Sequence, residues 1–346
     1  MSVSALAVLA VVLVIASLGA PVGLDARGRE KLHRIGVLDR TPRAANAANV
    51  DGFRQGLRDL GYVEDKTFVI DYRSADGHDD RFPALASELA QLKVDLILTR
   101  GTPAALAAKN ATRSIPVIIT GVGDPVGQGV VASLARPGTN VTGLSAAVTD
   151  IYPKRVQLLR ELVPNATRIG VLFNMGNPAL PPQWKEVETA ARALGIEAHL
   201  LDVRKREDLE PAFDAAVNRG AGAMLVGIET LTVANQQLIV GLAARRRLPA
   251  MYASAEFSGG LISYGVDYPE MYRRAATFAD KIFKGARPAE LPVEEPTTFE
   301  LVINLNTARS LGLRIPRTLL VRASTLIDEP SAPSSKVLGV PSAQAP

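Results

Sequence analysis

The chain has 346 residues, of which 47% are hydrophobic and 21% charged, and its formal net charge is +4. This length holds one to three domains, and the composition is that of a globular protein and not of a disordered one. The sequence contains no cysteine, which excludes disulfides, thiolate metal sites, a cysteine nucleophile and lipid attachment at a signal-peptide cysteine.

The amino terminus is an uncharged apolar segment. Residues 4–24 carry no charged side chain, and residues 5–15 are an almost continuous run of Ala, Val and Leu. Small residues follow the run, as they do in secretory signal peptides. We predict that residues 1–26 form a signal peptide, cleaved after Ala20 or Ala26, and that the protein is periplasmic. The alternative is an uncleaved membrane anchor, because the run is just long enough to span a bilayer.

Strand and helix patterns alternate through the first part of the presumed mature chain. Apolar runs of strand length alternate with segments whose hydrophobic residues recur at helical spacing. The predicted strands are 34–38, 68–72, 94–99, 116–120 and 141–144. The predicted helices are 50–60, 81–92, 104–110 and 126–134.

The same series begins a second time. The peptide Arg-Ile-Gly-Val-Leu occurs at residues 34–38 and again at residues 168–172. After the second copy, the predicted strands are 169–173, 198–203, 223–226, 250–252, 261–264 and 299–304. The predicted helices are 153–162, 184–194, 209–217, 235–246, 268–283 and 307–311. Strands that alternate with helices in this way indicate parallel sheets with right-handed crossovers.

We therefore predict an α/β protein of two Rossmann-like lobes with parallel central sheets. The last elements do not start a third lobe, so we expect them to complete the edges of both lobes across a three-segment hinge. The predicted domains are an N-terminal lobe of residues 33–146 plus 264–290, a C-terminal lobe of residues 147–263 plus 296–328, and a disordered tail of residues 329–346, which is rich in Pro, Ser and Ala.

Loops that follow the strands of the first lobe contain candidate ligand-binding residues, because ligands bind outside the carboxyl ends of parallel strands. Thr41 follows the first predicted strand and Thr102 the third. With Thr102 as a helix cap and Pro103 at the first helical position, a hydroxyl and free backbone N–H groups would suit a carboxylate or another anion. The alternative is a plain helix cap without a ligand.

The loop at residues 121–127 resembles a glycine-rich dinucleotide loop, but its spacing is Gly-x-Gly-x-x-x-Gly. Asp124 would repel a pyrophosphate there and would favour an ammonium group or a hydrogen-bond donor. We expect no nucleotide cofactor at this loop.

Polar and aromatic residues also follow the strands of the second lobe. Glu229 and Glu256 end neighbouring strands, and each is either a solvated loop acid or a group that recognises an amine in the cleft. Asp267 lies in the segment 263–268, which is either hinge and cleft wall together or a simple strand-to-helix junction. The candidates from this part of the chain are Asn174, Glu229, Thr230, Glu256, Phe257 and Asp267.

Catalytic and metal-binding patterns are missing from the sequence. The histidines, His33, His78 and His199, show no metal or relay spacing, and there is no Gly-x-Ser-x-Gly elbow or Walker loop. The basic cluster 245–247 follows a predicted helix as a solvated last turn, without a helix-turn-helix or zinc-finger pattern. We predict no enzyme activity, no metal, no cofactor and no nucleic-acid binding.

Several motifs together resemble the ABC-transporter substrate-binding protein family, in the class that includes tryptophan- and phenylalanine-binding members. The match covers roughly residues 35–327. The supporting stretches are Phe-Arg-Gln-Gly-Leu-Arg-Asp-Leu-Gly-Tyr at 53–62, Thr-Pro-Ala-Ala at 102–105, Gly-Asp-Pro-Val at 123–126, Leu-Ala-Arg-Pro-Gly at 134–138, Asn-Val-Thr-Gly at 140–143, Tyr-Gly at 264–265, Pro-Val-Glu at 292–294 and Phe-Glu-Leu-Val-Ile-Asn at 299–304.

The resemblance implies the type I periplasmic binding protein fold, in which two Rossmann-like lobes close on a ligand. By analogy with amino-acid-binding relatives, Thr102 and the Asp124 loop would hold polar groups of the ligand from the first lobe. Asn174, Glu229 and Glu256 would face the ligand from the second lobe.

The function that the resemblance implies is that of an exported monomer, which captures a small polar ligand such as an amino acid and delivers it to an ABC permease in the inner membrane. The alternative is a membrane-anchored ligand-sensing ectodomain that uses the same cleft. A transcription regulator on the same lobes would need a DNA-binding headpiece, which the apolar residues 1–24 cannot supply.

Overall fold

The computed structural model describes residues 31–146, 151–257 and 259–328. The predicted signal peptide and the predicted disordered tail both lie outside these residues. Within them the chain forms two α/β lobes, which confirms the predicted architecture.

The first lobe is built on a sheet of five parallel strands. The strands are β1 (His33–Asp39), β2 (Phe68–Ser74), β3 (Leu96–Arg100), β4 (Val117–Val122) and β5 (Val141–Ser145). Their order in the sheet is β2-β1-β3-β4-β5. The helices of this part of the chain are α1 (Ala47–Asp59), α2 (Phe82–Gln91) and α3 (Thr102–Ala111), with a short 3-10 turn at Asp79–Arg81.

The second lobe repeats this plan and adds two strands. Its sheet contains β6 (Arg168–Phe173), β7 (Glu197–Asp202), β8 (Ala223–Val226), β9 (Ala250–Tyr252), β10 (Ile262–Gly265), β11 (Glu300–Asn304) and β12 (Thr325–Ile327). The helices before β10 are α4 (Ile151–Leu162), α5 (Leu180–Ala193), α6 (Leu209–Asn218), α7 (Thr230–Ala234) and α8 (Gln236–Arg245), with a 3-10 turn at Arg206–Asp208. The strand order is β12-β11-β10-β9-β8-β6-β7. β11 is antiparallel to β10, whereas the other neighbouring strands of this sheet are parallel, so the predicted parallel central sheet is confirmed with this one exception.

The repeated peptide occupies the same place in both sheets, because β1 and β6 each lie between an edge strand and the next strand of the series. Its glycine has a packing role. A Cβ atom at Gly36 would lie 3.0 Å from Leu89 of α2, whereas one at Gly170 would lie 2.6 Å from Met224 of β8 and 3.3 Å from Ala216 of α6. In both copies the glycine leaves room for the side chains that cover the strand.

The predicted helix at 126–134 is not formed, and the chain follows a series of turns there. The backbone N–H groups of Val130 and Val131 both donate to the carbonyl oxygen of Pro125, and Gly129 has a φ of 66°. Val130 and Val131 are buried in the core of the first lobe. The apolar spacing that suggested a helix therefore reflects burial beneath a loop.

The chain passes between the lobes three times, after β5, after β10 and before β11. After β10, the long helix α9 (Tyr268–Phe283) returns to the first lobe, with the bounds that the sequence predicted, and packs on α1. A 3-10 turn (Pro288–Glu290) leads to Glu294, whose backbone pairs with β5. The helices α10 (Leu305–Leu311) and α11 (Arg317–Arg322) then pack on the second lobe.

β10 belongs to the second sheet and extends to Gly265. The predicted N-terminal lobe included residues 264–290, so the first two residues of that segment lie in the sheet of the second lobe. None of the helices among the described residues combines the length and apolar character that a membrane crossing requires.

Candidate functional site

Each sheet reverses its strand order at one point, and a ligand is expected at such a reversal. In the first sheet the point lies between β1 and β3, and in the second between β6 and β8. The loops that follow these four strands enclose one cavity of about 30 Å³, here called the inner cavity. Its lining residues come from both lobes and from the start of α9: Arg40, Gly101, Thr102, Pro103, Gly121, Gly123, Asn177, Ala179, Leu180, Gln183, Ile228, Glu229, Thr230 and Tyr268.

Arg40, the residue that follows β1, places a buried guanidinium group at the inner cavity. Its side chain lies against Gly101, where a Cβ atom would approach the Nη2 atom of Arg40 to 2.5 Å. Arg40 is 4% exposed, and its Nε atom has no hydrogen-bond partner. Within the described residues, this guanidinium group forms no ion pair. Its positive charge opposes the burial that raises the pKa values of Asp79 and Glu229, so carboxylates of the protein lie near enough to compensate it in part.

Beside Arg40, helix α3 begins at the inner cavity. Gly101 is its cap and Thr102 its first residue, with no side-chain hydrogen bond at the cap. The prediction of Thr102 as the cap is therefore wrong by one residue, because Gly101 adopts a φ of 80° that favours glycine. Thr102 nevertheless lines the cavity. The first N–H groups of a helix lack partners within it, so the start of α3 adds hydrogen-bond donors beside Arg40.

Glu229 and Thr230 lie on the opposite wall, in the second lobe. Both carboxylate oxygens of Glu229 cap helix α7, accepting from the backbone N–H of Thr232 at 2.7 Å and of Leu231 at 2.9 Å. Burial raises the pKa of Glu229 to about 7, although these hydrogen bonds oppose the change. Thr230 lines the cavity beside Glu229 and lies close to the Asp79 carboxylate of the first lobe. Glu229 therefore offers the cavity an acceptor that ionises near neutral pH.

Gln183 and Asn177 also line the inner cavity from the second lobe, and the sequence predicted neither. Gln183 is 5% exposed, and its Oε1 atom is buried without a hydrogen-bond partner among the described residues. Asn177 accepts the backbone N–H of Ala179 at 3.1 Å. The Asn-Pro pair at 177–178 was an available signal for a helix start. Gln183 gave none, because the predicted helix began after it.

An ion pair joins the two lobes next to the inner cavity. The Arg100 guanidinium, at the end of β3, donates from Nη1 and Nη2 to the two carboxylate oxygens of Glu256, each at 2.6 Å. Asn49 of α1 donates to the same carboxylate at 2.8 Å, and Tyr268 lies under the guanidinium at 3.7 Å. Burial acts to raise the pKa of Glu256, but the Arg100 charge and the hydrogen bonds from Arg100 and Asn49, with the Arg40 charge, together outweigh it and hold that pKa below its usual value. These contacts hold the lobes in a closed arrangement.

Three predicted site residues form turns within their own loops. Thr41 donates from its hydroxyl to Asp39 at 3.1 Å. Asp124 accepts the backbone N–H of Gly127, and Asn174 that of Gly176. None of the three lines the inner cavity, so we do not propose them as ligand residues.

Phe257 and Asp267 lie elsewhere as well. Phe257 stacks on Tyr252 in the core of the second lobe, with ring centroids 4.9 Å apart. Asp267 accepts the backbone N–H of Glu270 and caps α9. The segment 263–268 thus joins β10 to α9 through a helix cap, and Tyr268 is its residue at the inner cavity.

Beside this helix cap, the Asp267 carboxylate lies close to the Glu300 carboxyl group of β11. Burial and Asp267 together raise the pKa of Glu300 from 4.5 to about 7. A raised carboxyl pKa adds stability below the unfolded value, and this stability is lost as the pH rises through the folded value. We expect Glu300→Gln to raise the melting temperature by about 2 °C at pH 8.5 and to leave it nearly unchanged at pH 5.

Thermal unfolding followed by circular dichroism from pH 5 to pH 8.5 measures this effect. The control is Glu207→Gln, since Glu207 is exposed on the turn at residues 206–208. A Glu300→Gln variant whose melting temperature runs parallel to wild type over this range would contradict the carboxyl pair.

No group of three or more potential metal-ligating side chains occurs in the part of the chain that the structure describes.

Residues 34–327 match the family described as ABC transporter substrate binding protein. A tyrosine-binding protein of Clostridioides difficile (strain R20291) is 30% identical over 266 residues, which are 76% of either chain.

Two solved structures align with this chain at 26% identity, and each alignment covers 86% of this chain and 100% of the solved chain. One is an ABC domain from Streptococcus pneumonia in complex with L-Trp, with a TM-score of 0.78. The other is the ligand-free, open structure of a substrate-binding protein with adhesive properties from Clostridium difficile, with a TM-score of 0.62. The lower score against the open structure agrees with the closed lobes seen here. The chain has the type I periplasmic binding protein fold and belongs to the family of ABC transporter substrate binding proteins.

Proposed function

We propose that this protein is an exported receptor of an ABC import system, which captures an amino acid or a similar small polar ligand between its lobes and delivers it to a membrane permease. The observation that carries the proposal is the inner cavity, which the reversal points of both sheets enclose. Relatives that bind tyrosine and tryptophan support the amino-acid class.

Ligand capture requires the lobes to separate. The inner cavity holds about 30 Å³, whereas ligand pockets commonly measure about 300–1,000 Å³. In the closed arrangement Arg100 and Glu256 join the lobes beside the cavity. We infer that the ligand binds an open form, and that lobe closure then brings Thr102, Glu229 and Thr230 onto it from both sides.

The ligand is tested on protein purified without refolding from the compartment to which it is exported. Native mass spectrometry is expected to show a bound small molecule, and thermal stabilisation by members of an amino-acid panel is expected to identify its class. Small-angle X-ray scattering should show a smaller radius of gyration with ligand than without. Protein that carries no small molecule and is stabilised by none would contradict the receptor function.

Export is tested separately by the mass of the mature chain in a periplasmic extract. We expect cleavage after Ala20 or Ala26. An intact amino terminus in the membrane fraction would instead support the anchored sensing ectodomain.

A further inference from the structure

We infer that closure of the lobes takes up a proton at the facing carboxyl groups of Asp79 and Glu229, so that an acidic medium favours the closed form. This regulation rests on the proposed function, because it acts on the lobe movement by which the receptor would capture its ligand.

The two carboxyl groups belong to different lobes and lie near each other where the lobes meet. Asp79 begins the 3-10 turn that follows β2 in the first lobe, whereas Glu229 caps α7 in the second. The loop before Asp79 packs against the same helix, because a Cβ atom at Gly77 would lie 2.8 Å from the Cβ of Ala234. Asp79 also lies close to Thr230, the neighbour of Glu229. Lobe closure therefore brings both carboxyl groups into one interface.

This interface contains more negative than positive charge. Glu256 already engages Arg100 through two hydrogen bonds of 2.6 Å. Arg40 is the guanidinium group whose charge acts on both Asp79 and Glu229. One cation beside two carboxylates leaves a negative charge uncompensated, and burial of such a charge is costly. Protonation of one carboxylate removes this cost, so closure and proton uptake favour each other.

The hydrogen bonds of the two carboxyl groups do not replace the missing cation. The Oδ1 atom of Asp79 is buried and has no hydrogen-bond partner among the described residues. Each carboxylate oxygen of Glu229 accepts one backbone N–H group of its own helix cap. A carboxyl group at either position can therefore hold a proton without the loss of an ion pair.

Other titratable groups lie on the elements around this pair: Asp39, His78 and Asp80 of the first lobe and Arg206 of the second. Asp80 repels Asp79. Asp39 is already satisfied by the hydroxyl groups of Thr41 and Tyr272. Arg206 donates to Asn235 at the opposite end of α7. His78 is exposed, so solvent screens the charge that it gains in acid. These groups leave the excess negative charge in place.

The pKa values of both carboxyl groups agree with this charge balance. Burial raises the pKa of Glu229 from 4.5 to about 7, against the hydrogen bonds from Leu231 and Thr232, and the Asp79 charge adds to the increase. Burial also raises the pKa of Asp79. When the lobes separate, water reaches the inner cavity and the two groups return toward their ordinary values. The closed form thus gains stability below pH 4.5, and this gain is lost as the pH rises through about 7.

The test follows the ligand-free protein by small-angle X-ray scattering from pH 8 to pH 5. The radius of gyration is expected to decrease as the pH falls, and the ratio of closed to open protein should increase about tenfold between pH 8 and pH 6. Glu229→Gln is neutral throughout this range, so it should be as compact at pH 8 as wild type is at pH 5. Asp79→Asn, in the other lobe, should show the same change to a smaller degree.

Two further variants locate the group that titrates. Glu300→Gln removes the carboxyl group of β11 whose pKa is also about 7, and it should retain most of the pH response. Glu207→Gln removes an exposed acid of the second lobe and should match wild type. Circular dichroism verifies folding, and if loss of the cap unfolds Glu229→Gln, the comparison depends on Asp79→Asn.

Three results would overturn proton-linked closure: a wild-type radius of gyration that does not change with pH, a wild-type pH response in the Asp79 and Glu229 variants, or loss of the response in Glu300→Gln alone. No ligand enters this measurement. A protein that binds no small molecule but closes in acid would therefore contradict the receptor function and leave proton-linked closure standing.

Discussion

Glu256→Gln is expected to weaken ligand binding by about tenfold to 100-fold and to shift the ligand-free protein toward an open arrangement of the lobes. Glu256 holds the Arg100 guanidinium from the other lobe, and Arg100 is only 1% exposed. Removal of one partner of a buried pair leaves the other charge uncompensated, at a cost of about 3–5 kcal/mol when both are fully buried. Because the Glu256 side chain is 20% exposed, we expect a smaller cost of about 2 kcal/mol.

The physical reason for the shift is that the pair exists only when the lobes are closed. In the open form Arg100 can be hydrated, so the variant loses stability selectively in the closed form. Closure of the lobes on a bound ligand must then occur without this pair, so the apparent affinity for the ligand falls. Isothermal titration calorimetry measures the affinity, and small-angle X-ray scattering of the ligand-free protein measures the opening.

Glu197→Gln is the matched control for this prediction. Glu197 pairs with Arg168 inside the second lobe, and both side chains are more than half exposed. Exposed pairs contribute little, so this variant should match wild type in affinity and in radius of gyration. If Glu256→Gln also matched wild type in both measurements, the interlobe pair would have no role in closure.

Gly56→Ala is expected to destabilise the first lobe by about 2 kcal/mol and to lower the melting temperature by about 5 °C. Gly56 lies in α1, where that helix contacts α9. A Cβ atom there would overlap the carbonyl oxygen of Arg273 and lie 2.7 Å from the Cβ of Ala276. The obstacle is backbone, which a rotamer change cannot remove, so the two helices must separate.

The higher helix propensity of alanine would by itself stabilise the helix, so the sign of the change in stability shows whether propensity or the steric overlap dominates. Replacement of glycine by alanine inside a helix adds up to about 1 kcal/mol of stability, and Gly241 of α8 provides the control. A side chain at Gly241 would approach only the flexible end of Arg245, at 3.3 Å. Thermal denaturation should show a stabilised Gly241→Ala and a destabilised Gly56→Ala. A stabilised Gly56→Ala would refute the close contact of α1 with α9.

Elements whose hydrophobic residues recur at a regular spacing could be predicted from the sequence, whereas loops that pack into the core could not. The sequence predicted α9 with its observed bounds, because its apolar residues recur at helical spacing over sixteen residues. The same reasoning failed at 126–134, where Val130 and Val131 have helical spacing but are buried under a loop. It also missed the antiparallel β11, since the direction of a strand depends on the path of the chain before it.

The candidate site was predictable in its location and not in its chemistry. The rule that ligands bind after the strands of a parallel sheet led to Thr102, Glu229 and Thr230, which line the inner cavity. It gave no reason to single out Arg40 or Gln183. Both side chains are buried at the inner cavity, and this burial is decided by the approach of the two lobes.

The sequence by itself determined two α/β lobes, because hydrophobic periodicity and the repeated Arg-Ile-Gly-Val-Leu peptide act locally, through strands and the helices that cover them. The tertiary structure alone decided which charges are paired. Arg100 and Glu256 are 156 residues apart in the chain and meet only through lobe closure. Arg40 lies near the same interface, and its Nε atom has no hydrogen-bond partner among the described residues. Side-chain pairing across a cleft depends on the relative position of two separately folded sheets, which no local pattern encodes.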